Sequence, residues 1–128
     1  MQFIISTTDE VLLPQSGLAL VGALLQASKL LRRIDALEVE GCARPEVKHG
    51  DVVTAALGLL CLGKSDFADI EAFRNDEFFR LSLGLRQIPS EPTLRQRLDA
   101  MRDACAAILR EESALLVRKH ARKITPCH

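Results

Sequence analysis

The side chains best suited to chemistry are basic and amide groups gathered between positions 86 and 102. Four arginines in this stretch accompany two acidic residues, and two glutamines add amide donors. Arginine and glutamine near the N-terminus of a helix can reach base edges and phosphates in the major groove of DNA. The candidate DNA-contacting residues here are Arg86, Gln87, Thr93, Arg95, Gln96, Arg97 and Arg102.

The same stretch also fits an ordinary solvated helix face. Arg95 and Asp99 are four residues apart, which is the spacing of an exposed ion pair on one helix. The residues alone slightly favour this second interpretation.

A second basic cluster lies near the end of the chain, where no acidic residue interrupts it. It suits contact with the phosphate backbone of a nucleic acid, and it equally suits the basic end of a helix stabilising its own dipole. The residues leave these two roles open. The cluster comprises Arg118, Lys119, His120, Arg122 and Lys123.

Catalytic and metal-binding patterns are missing from the sequence. No glycine-rich phosphate loop, HExxH or GxSxG motif is present. Asp66 and Asp69 fit the acidic first turn of a helix far better than an acid–base pair. The four cysteines form no CxxC pair, and His120, Cys127 and His128 lack the fixed frame of a zinc site. We therefore expect no catalytic residue, no metal and no cofactor.

The composition is that of one globular domain: 128 residues, 48% of them hydrophobic and 27% charged. Seventeen basic residues balance seventeen acidic ones, so any attraction to DNA must be local. No apolar run reaches membrane-spanning length, no secretion signal is visible and the thiols are widely spaced, which indicates a cytoplasmic protein. Trp and Tyr are absent and only five Phe are present, so the chain offers few aromatic platforms for single-stranded nucleic acid.

Helical periodicity dominates the chain, and we predict a mainly α, compact fold. Residues 1–15 would form an N-terminal arm, whose β-branched residues 3–8 are compatible with one short strand. Residues 16–120 would form the helical domain, and residues 121–128 a tail.

The first half of the helical domain is divided by clear punctuation. Ser16 is predicted to cap a first helix, and residues 30–37 continue it or form a second one. After a loop at residues 41–50, the apolar stretch 52–62 should be the central buried helix, ended by Gly63.

The second half has the outline of a helix-turn-helix module, because two short helices precede a sharply capped third. Ser65 is predicted to cap the first, and Asp76 the second, which stops at Gly84. Ser90 and Pro92 start the third. On the second of these helices, the side chains expected to lie in the protein core are Phe78, Phe79, Leu81 and Leu83.

The third helix carries an apolar seam with alternating spacings of four and three residues. We expect it to run unbroken from Glu91 to about Lys119, roughly 40 Å at 1.5 Å per residue. Such a seam favours a homodimer or docking onto another domain. Its positions are Leu94, Leu98, Met101, Cys105, Ile108, Glu112, Leu115 and Lys119.

The segment from Gly63 to Leu98 resembles the N-terminal region of bacterial insertion-sequence transposases of the DDE superfamily, above all the insertion-sequence 1380 group. After Gly63 it contains an FxDIxxxRxD segment, then Leu83-Gly84, then IPSxxTLxxRL. The resemblance covers roughly residues 12 to 124. It is most specific in the last segment, where the cap, turn and helix recur as a unit. The matching residues there are Pro89, Ser90, Thr93, Leu94, Arg97 and Leu98.

The resemblance implies a role in binding the terminal inverted repeats of a transposon and in assembling the transposase, usually as a dimer on double-stranded DNA. In that family a following RNase H-like domain cuts and joins DNA with three carboxylates and divalent metal. The sequence stops at His128, about where the first catalytic strand should begin. We therefore expect this chain to bind DNA without catalysis, and to need no membrane or small-molecule substrate.

Two other functions remain open on the sequence. One is an interaction module, in which the apolar seam pairs two copies and DNA contact is weak. The other is a small-molecule enzyme, which would need a cluster of polar groups that the sequence does not offer.

Overall fold

The computed structural model describes residues 15–42 and 45–121, with side chains through Lys119. It is 69% helical, and the described residues form seven helical segments and no strand. The predicted mainly α fold is therefore confirmed. The strand considered for residues 3–8 lies outside the described residues.

The helices follow one another closely along the chain, and their bounds are these. Helix α1 is Leu18–Ala27, α2 is Leu30–Asp35, α3 is His49–Cys61, a 3-10 helix is Phe67–Phe73, α4 is Glu77–Leu83, α5 is Glu91–Ala100 and α6 is Arg102–Ala121.

Helix α3 is the centre of the fold, as its apolar sequence predicts. It packs against α1, α2, α4, α5 and the 3-10 helix, and Val52, Ala55 and Leu59 are buried on it. A side chain at Gly58 would collide with Leu83, so this glycine lets α4 approach closely. Outward-facing Leu60 remains exposed, so α3 is not buried on every side.

Two of the four predicted helix N-caps are confirmed. Asp76 and Ser90 cap α4 and α5 as predicted, each accepting a backbone N–H three residues on. The prediction for Ser65 is wrong by one residue, because the side chain of Asp66 accepts from the N–H of Ala68 and the helix that follows is 3-10. Helix α1 also starts one residue later than predicted, with Gly17 as its N-cap.

The third helix of the sequence prediction is not continuous. It breaks at Met101, whose φ of −109° and ψ of 16° are not helical, into α5 and the twenty-residue α6. The break lets α5 pack on α3 and the 3-10 helix while α6 packs on α2. Met101 is itself buried, along with Leu94, Cys105 and Ile108, so the core favours the bend. A long C-terminal helix is still present in α6.

One predicted core position lies at the surface. Leu81 on α4 is exposed because Phe79 and Leu83, four residues apart, face inward and leave Leu81 on the other side. Leu24 on α1 is half exposed because Leu18, Gly22 and Leu25 form the buried stripe instead.

Helix α6 is tied to α2 by one arginine. The guanidinium of Arg33 contacts Glu111 at 2.6 Å and Glu112 at 3.0 Å, and these two carboxylates raise the pKa of Arg33. The polar seam position Glu112 is thus used within the chain. No helix in the described part of the chain combines the length and apolar character needed to cross a membrane.

Candidate nucleic-acid interface

The loop before α5 is held by a carboxylate on α3. The backbone N–H of Arg86 donates to Oδ2 of Asp51 at 3.3 Å, and the N–H of Gln87 bonds the same carboxyl. Burial raises the pKa of Asp51, while these N–H donors oppose that rise. The loop backbone is therefore fixed, and the side chains of Arg86 and Gln87 are both exposed.

The first turn of α5 is locked by its own cap. Oγ of Ser90 accepts from the N–H of Thr93 at 3.4 Å and lies 2.9 Å from the hydroxyl of Thr93. Leu94, directly after, is fully buried. Thr93 therefore uses its hydroxyl within the helix start.

Arg95 faces solvent but is paired with acids. Its Nε donates to Glu91 at 2.9 Å and its Nη2 to Asp66 at 3.1 Å, and its guanidinium lies over the ring of Phe67 at 5.5 Å. Hydrogen bonding to Glu91 is the main cause that raises the pKa of Arg95. Because the side chain remains 53% exposed, these ion pairs are screened by water and easily exchanged.

Arg97 points into the fold. Its Nη1 donates to the carbonyl of Val47 at 3.3 Å and contacts Nδ1 of His49 at 3.0 Å. Since a guanidinium only donates, Nδ1 must accept, and the buried His49 ring is neutral with its proton on Nε2. Burial lowers the pKa of His49, and the charge of Arg97 lowers it further against the opposing Asp35. Arg97 thus joins α5 to the start of α3.

Acidic side chains surround the N-terminus of α5. The N–H of Glu91 donates to Oε1 of Glu71 at 2.8 Å, so a carboxylate already occupies part of the positive end of this helix. Asp66 and Glu91 add negative charge beside it. A phosphate is therefore poorly placed at this end of α5, and backbone contacts to DNA would come from the flanking arginines.

The remaining candidates differ in how open they are. Arg86, Gln96 and Arg102 are exposed, and no ion pair among the described residues involves either arginine. Arg118 and Lys119 are exposed on the last described turns of α6. Arg122 and Lys123 lie outside the described residues.

The helix-turn-helix outline is looser than the sequence suggests. Helix α5 packs on α3 and the 3-10 helix, whereas α4 packs mainly on α1. The two helices flanking the turn thus have different principal neighbours, and the position of α5 depends on α3. Sequence reasoning missed the residues that set it, His49, Asp51 and Glu71, because their partners lie 20 to 48 residues away.

No group of three or more metal-ligating side chains forms within the part of the chain that the structure describes. Cys127 and His128 of the considered zinc set lie outside it.

The resemblance to transposases rests on the sequence of this chain alone. No protein-family model, curated protein or solved structure matches the chain. Membership of the transposase family therefore stays a prediction.

Proposed function

We propose that this chain is a DNA-binding domain of a DDE transposase and that α5 is its recognition helix. Catalytic carboxylates would belong to a separate domain, and none is assigned to this chain. The support comes from which positions of the IPSxxTLxxRL segment face inward and which face solvent.

The residues named in the IPSxxTLxxRL pattern hold α5 in the fold. Pro89 and Leu94 are buried, Ser90 and Thr93 form the cap, and Arg97 bonds the start of α3. These roles hold the helix in place whatever DNA it meets.

The positions written x in that pattern face outward. Pro92, Arg95 and Gln96 are exposed, and Glu91 is half-buried beside Arg95. A helix whose inward residues anchor it and whose outer residues face solvent can present those outer residues to DNA without disturbing the fold. This division between anchor and outer face is the observation that carries the proposal.

Each outer side chain has a chemical role in the proposed complex. The amide of Gln96 can donate to and accept from adenine, and Arg95 can exchange its carboxylate partners for a guanine edge. Arg86 and Arg102 would contact phosphates beside the helix, and Arg118 could add a further one. Thr93 and Arg97, predicted earlier as contacts, would instead act as anchors.

Binding to a duplex that carries a terminal inverted repeat tests the proposal, with fluorescence anisotropy at several salt concentrations. Replacing Gln96 by Ala should weaken binding about tenfold, the size of one base contact, and only for the specific duplex. Replacing Arg86 or Arg102 should weaken binding to all duplexes and reduce its salt dependence.

The matched control is Arg32→Ala, which removes one exposed arginine on α2, a helix that packs on α1, α3 and α6. Its affinity should equal that of the parent. Affinity without salt dependence, or equal loss for Q96A and R32A, would contradict the proposal. Arg97→Ala does not serve as a test, because it also loosens the anchoring of α5.

The second candidate function is an interaction module, and one observation favours it. Large apolar side chains are exposed on α1, α3, α4 and α6. The seam that first suggested this function is largely occupied, because Leu94, Met101, Cys105 and Ile108 are buried within the chain. Any partner must therefore use another surface.

A further inference from the structure

The guanidinium of Arg95 is bonded along only one of its two donor edges. Its Nε donates to Oε1 of Glu91 at 2.9 Å and its Nη2 to Oδ1 of Asp66 at 3.1 Å. Nε and Nη2 form one edge of the planar group, and Nη1 with the second hydrogen of Nη2 forms the other. This second edge bonds no described residue, and 53% of the side chain is exposed. We call it the free edge of Arg95.

Three contacts from two helices hold the plane of this guanidinium. The ring centroid of Phe67 lies 5.5 Å from Cζ of Arg95, and Phe67 packs against the hydrophobic core. Asp66 is fixed by accepting from the N–H of Ala68, and Glu91 lies in the first turn of α5. Each contact alone is weak, but together they favour one orientation of the free edge. A ligand that meets this edge therefore immobilises a side chain that is already partly ordered.

The neighbouring arginines are bonded differently. In Arg80, Nε and Nη2 bond Glu77 and Nη1 donates to the carbonyl of Leu85, so both edges are used. In Arg97, Nη1 is occupied by the contacts to α3. Of the arginines on α4 and α5, Arg95 is the one that is held at one edge and open at the other.

The charge around the free edge favours an uncharged ligand. Two carboxylates bond the one guanidinium, and Glu71 brings a third carboxylate to the start of α5. A phosphate would meet this excess of negative charge, whereas the edge of a base carries no net charge. In the major groove guanine alone presents two adjacent acceptors, O6 and N7, and each other base presents at most one. The free edge has two parallel donors and therefore matches guanine.

We propose that Arg95 binds one guanine of duplex DNA through its free edge, and that Asp66 and Glu91 are positioning residues that stay bonded to it in the complex. Arg95 and the exposed Gln96 lie in the N-terminal half of α5, the part of a recognition helix that contacts base edges. The inference rests on the proposed DNA-binding function. It adds the base that Arg95 recognises and the two residues that impose this choice.

Selection of bound duplexes from a random double-stranded library, using the whole chain, tests the role of Arg95. The parent should enrich a guanine at one position, and Arg95→Ala should lose that preference while keeping the others. Replacing this guanine by 7-deazaguanine removes the N7 acceptor, which should weaken binding of the parent about tenfold and leave R95A unaffected. The matched control is Arg102→Ala, which removes an exposed arginine of α6 and should weaken all duplexes without changing any base preference.

Asp66→Asn tests the positioning role. The amide oxygen of Asn can still accept from the N–H of Ala68, so the cap of the 3-10 helix is kept, but the charge that holds Arg95 is removed. Discrimination between the guanine and 7-deazaguanine duplexes should fall about threefold, the scale of one exposed ion pair. Affinity for unselected duplexes should rise, because less negative charge faces the phosphates. Damage to the fold alone would lower both quantities.

Two results would overturn the inference while leaving the proposed function intact. One is a salt-dependent parent in which no 7-deazaguanine substitution has an effect that R95A abolishes. The other is D66N discriminating as well as the parent or better, which would mean that Asp66 competes with DNA for Arg95. A parent that enriches no sequence and binds no duplex at low salt contradicts both the proposed function and this inference.

Discussion

Helices α1 and α5 each turn one side to solvent, and the two sides are chemical opposites. Most charges of α5 already have partners: Arg95 pairs with Glu91 and Asp66, and Arg97 bonds the start of α3. Helix α1 has no charge, and its apolar outer face has no partner within the described chain.

The difference shows that the residue types of a helix do not tell which of its side chains are free to bind a partner. Counting arginines makes α5 look like an open basic surface, yet one of its arginines is structural and another is held by acids. Counting apolar residues makes α1 look like core, yet half of its circumference faces solvent. Binding function is better judged from the partners that side chains lack than from the side chains themselves.

The largest expected effect comes from the inward side of α1. A methyl group at Gly22 would collide with the carbonyl oxygen of Ser82, a backbone atom of α4 that cannot simply rotate away. Gly22→Ala should therefore lower the free energy of unfolding by about 3 kcal/mol, measured by urea denaturation.

Gly17→Ala is the control, because nothing lies within 4 Å of a methyl group placed there. Its stability should match that of the parent within experimental error. Equal stability of G22A and G17A would show that α1 does not pack on α4 as described. The assignment of inward and outward sides to α1 would then be wrong.

The next effect concerns the inward side of α5. Arg97→Ala leaves Nδ1 of His49 and the carbonyl of Val47 without their donor, and we expect a loss of about 2 kcal/mol. Arg95→Ala removes exposed ion pairs and the contact of an exposed guanidinium with the ring of Phe67, so we expect a small loss of stability, below that of Arg97→Ala. If the two variants were equally stable, the distinction between an anchoring and an outward arginine would be wrong.

The parts of the fold that local signals determine were predictable. Asp76, Ser90, Gly63 and Gly84 act within one helical turn, so their roles follow from spacing alone. The bend at Met101 was not predictable, because the apolar spacing continues through it and only packing against α3 and α2 produces the break.

The candidate site was predictable in its residue types but not in their orientations. Arg95 and Arg97 are two positions apart and chemically identical, yet one faces Asp66 and the other His49. Their partners are 29 and 48 residues distant in sequence. Nothing in the local pattern distinguishes the two, and the exposed leucines of α1 carry no local signal either.

A smaller effect is expected on α3, against which both α1 and α5 pack. The hydroxyl of Thr54 is buried and has no hydrogen-bond partner among the described residues. Thr54→Val keeps the shape and removes the unsatisfied hydroxyl, so stability should rise by about 1 kcal/mol. Thr54→Ser, which keeps the hydroxyl and loses a methyl group, should be destabilised; if V and S had the same effect, the hydroxyl would have a partner.

The smallest effect is a pH dependence at the contact between α5 and α3. His49 is neutral in the fold, and its pKa is lowered from 6.5 by burial and by Arg97. Below 6.5 the unfolded chain binds a proton that the folded chain does not, so stability is complete above that pH and falls as the pH drops toward the lowered pKa. Asp51 has the opposite effect on the pH dependence of stability. Its pKa is raised from 3.8 in the fold, so the stability it contributes is lost as the pH rises through the folded pKa.

His49→Asn isolates the histidine, because an amide oxygen can replace Nδ1 as the acceptor for Arg97 without titrating. Urea denaturation from pH 7.5 down to about pH 5 should show the parent losing stability relative to H49N. Asp51 is present in both chains, so the difference between them reports on His49 alone. Parallel curves would mean that the fold does not lower the pKa of His49. The contact between Arg97 and Nδ1 of His49 would then not be made as described, and the role of Arg97 as an anchor of α5 would rest on its bond to Val47 alone.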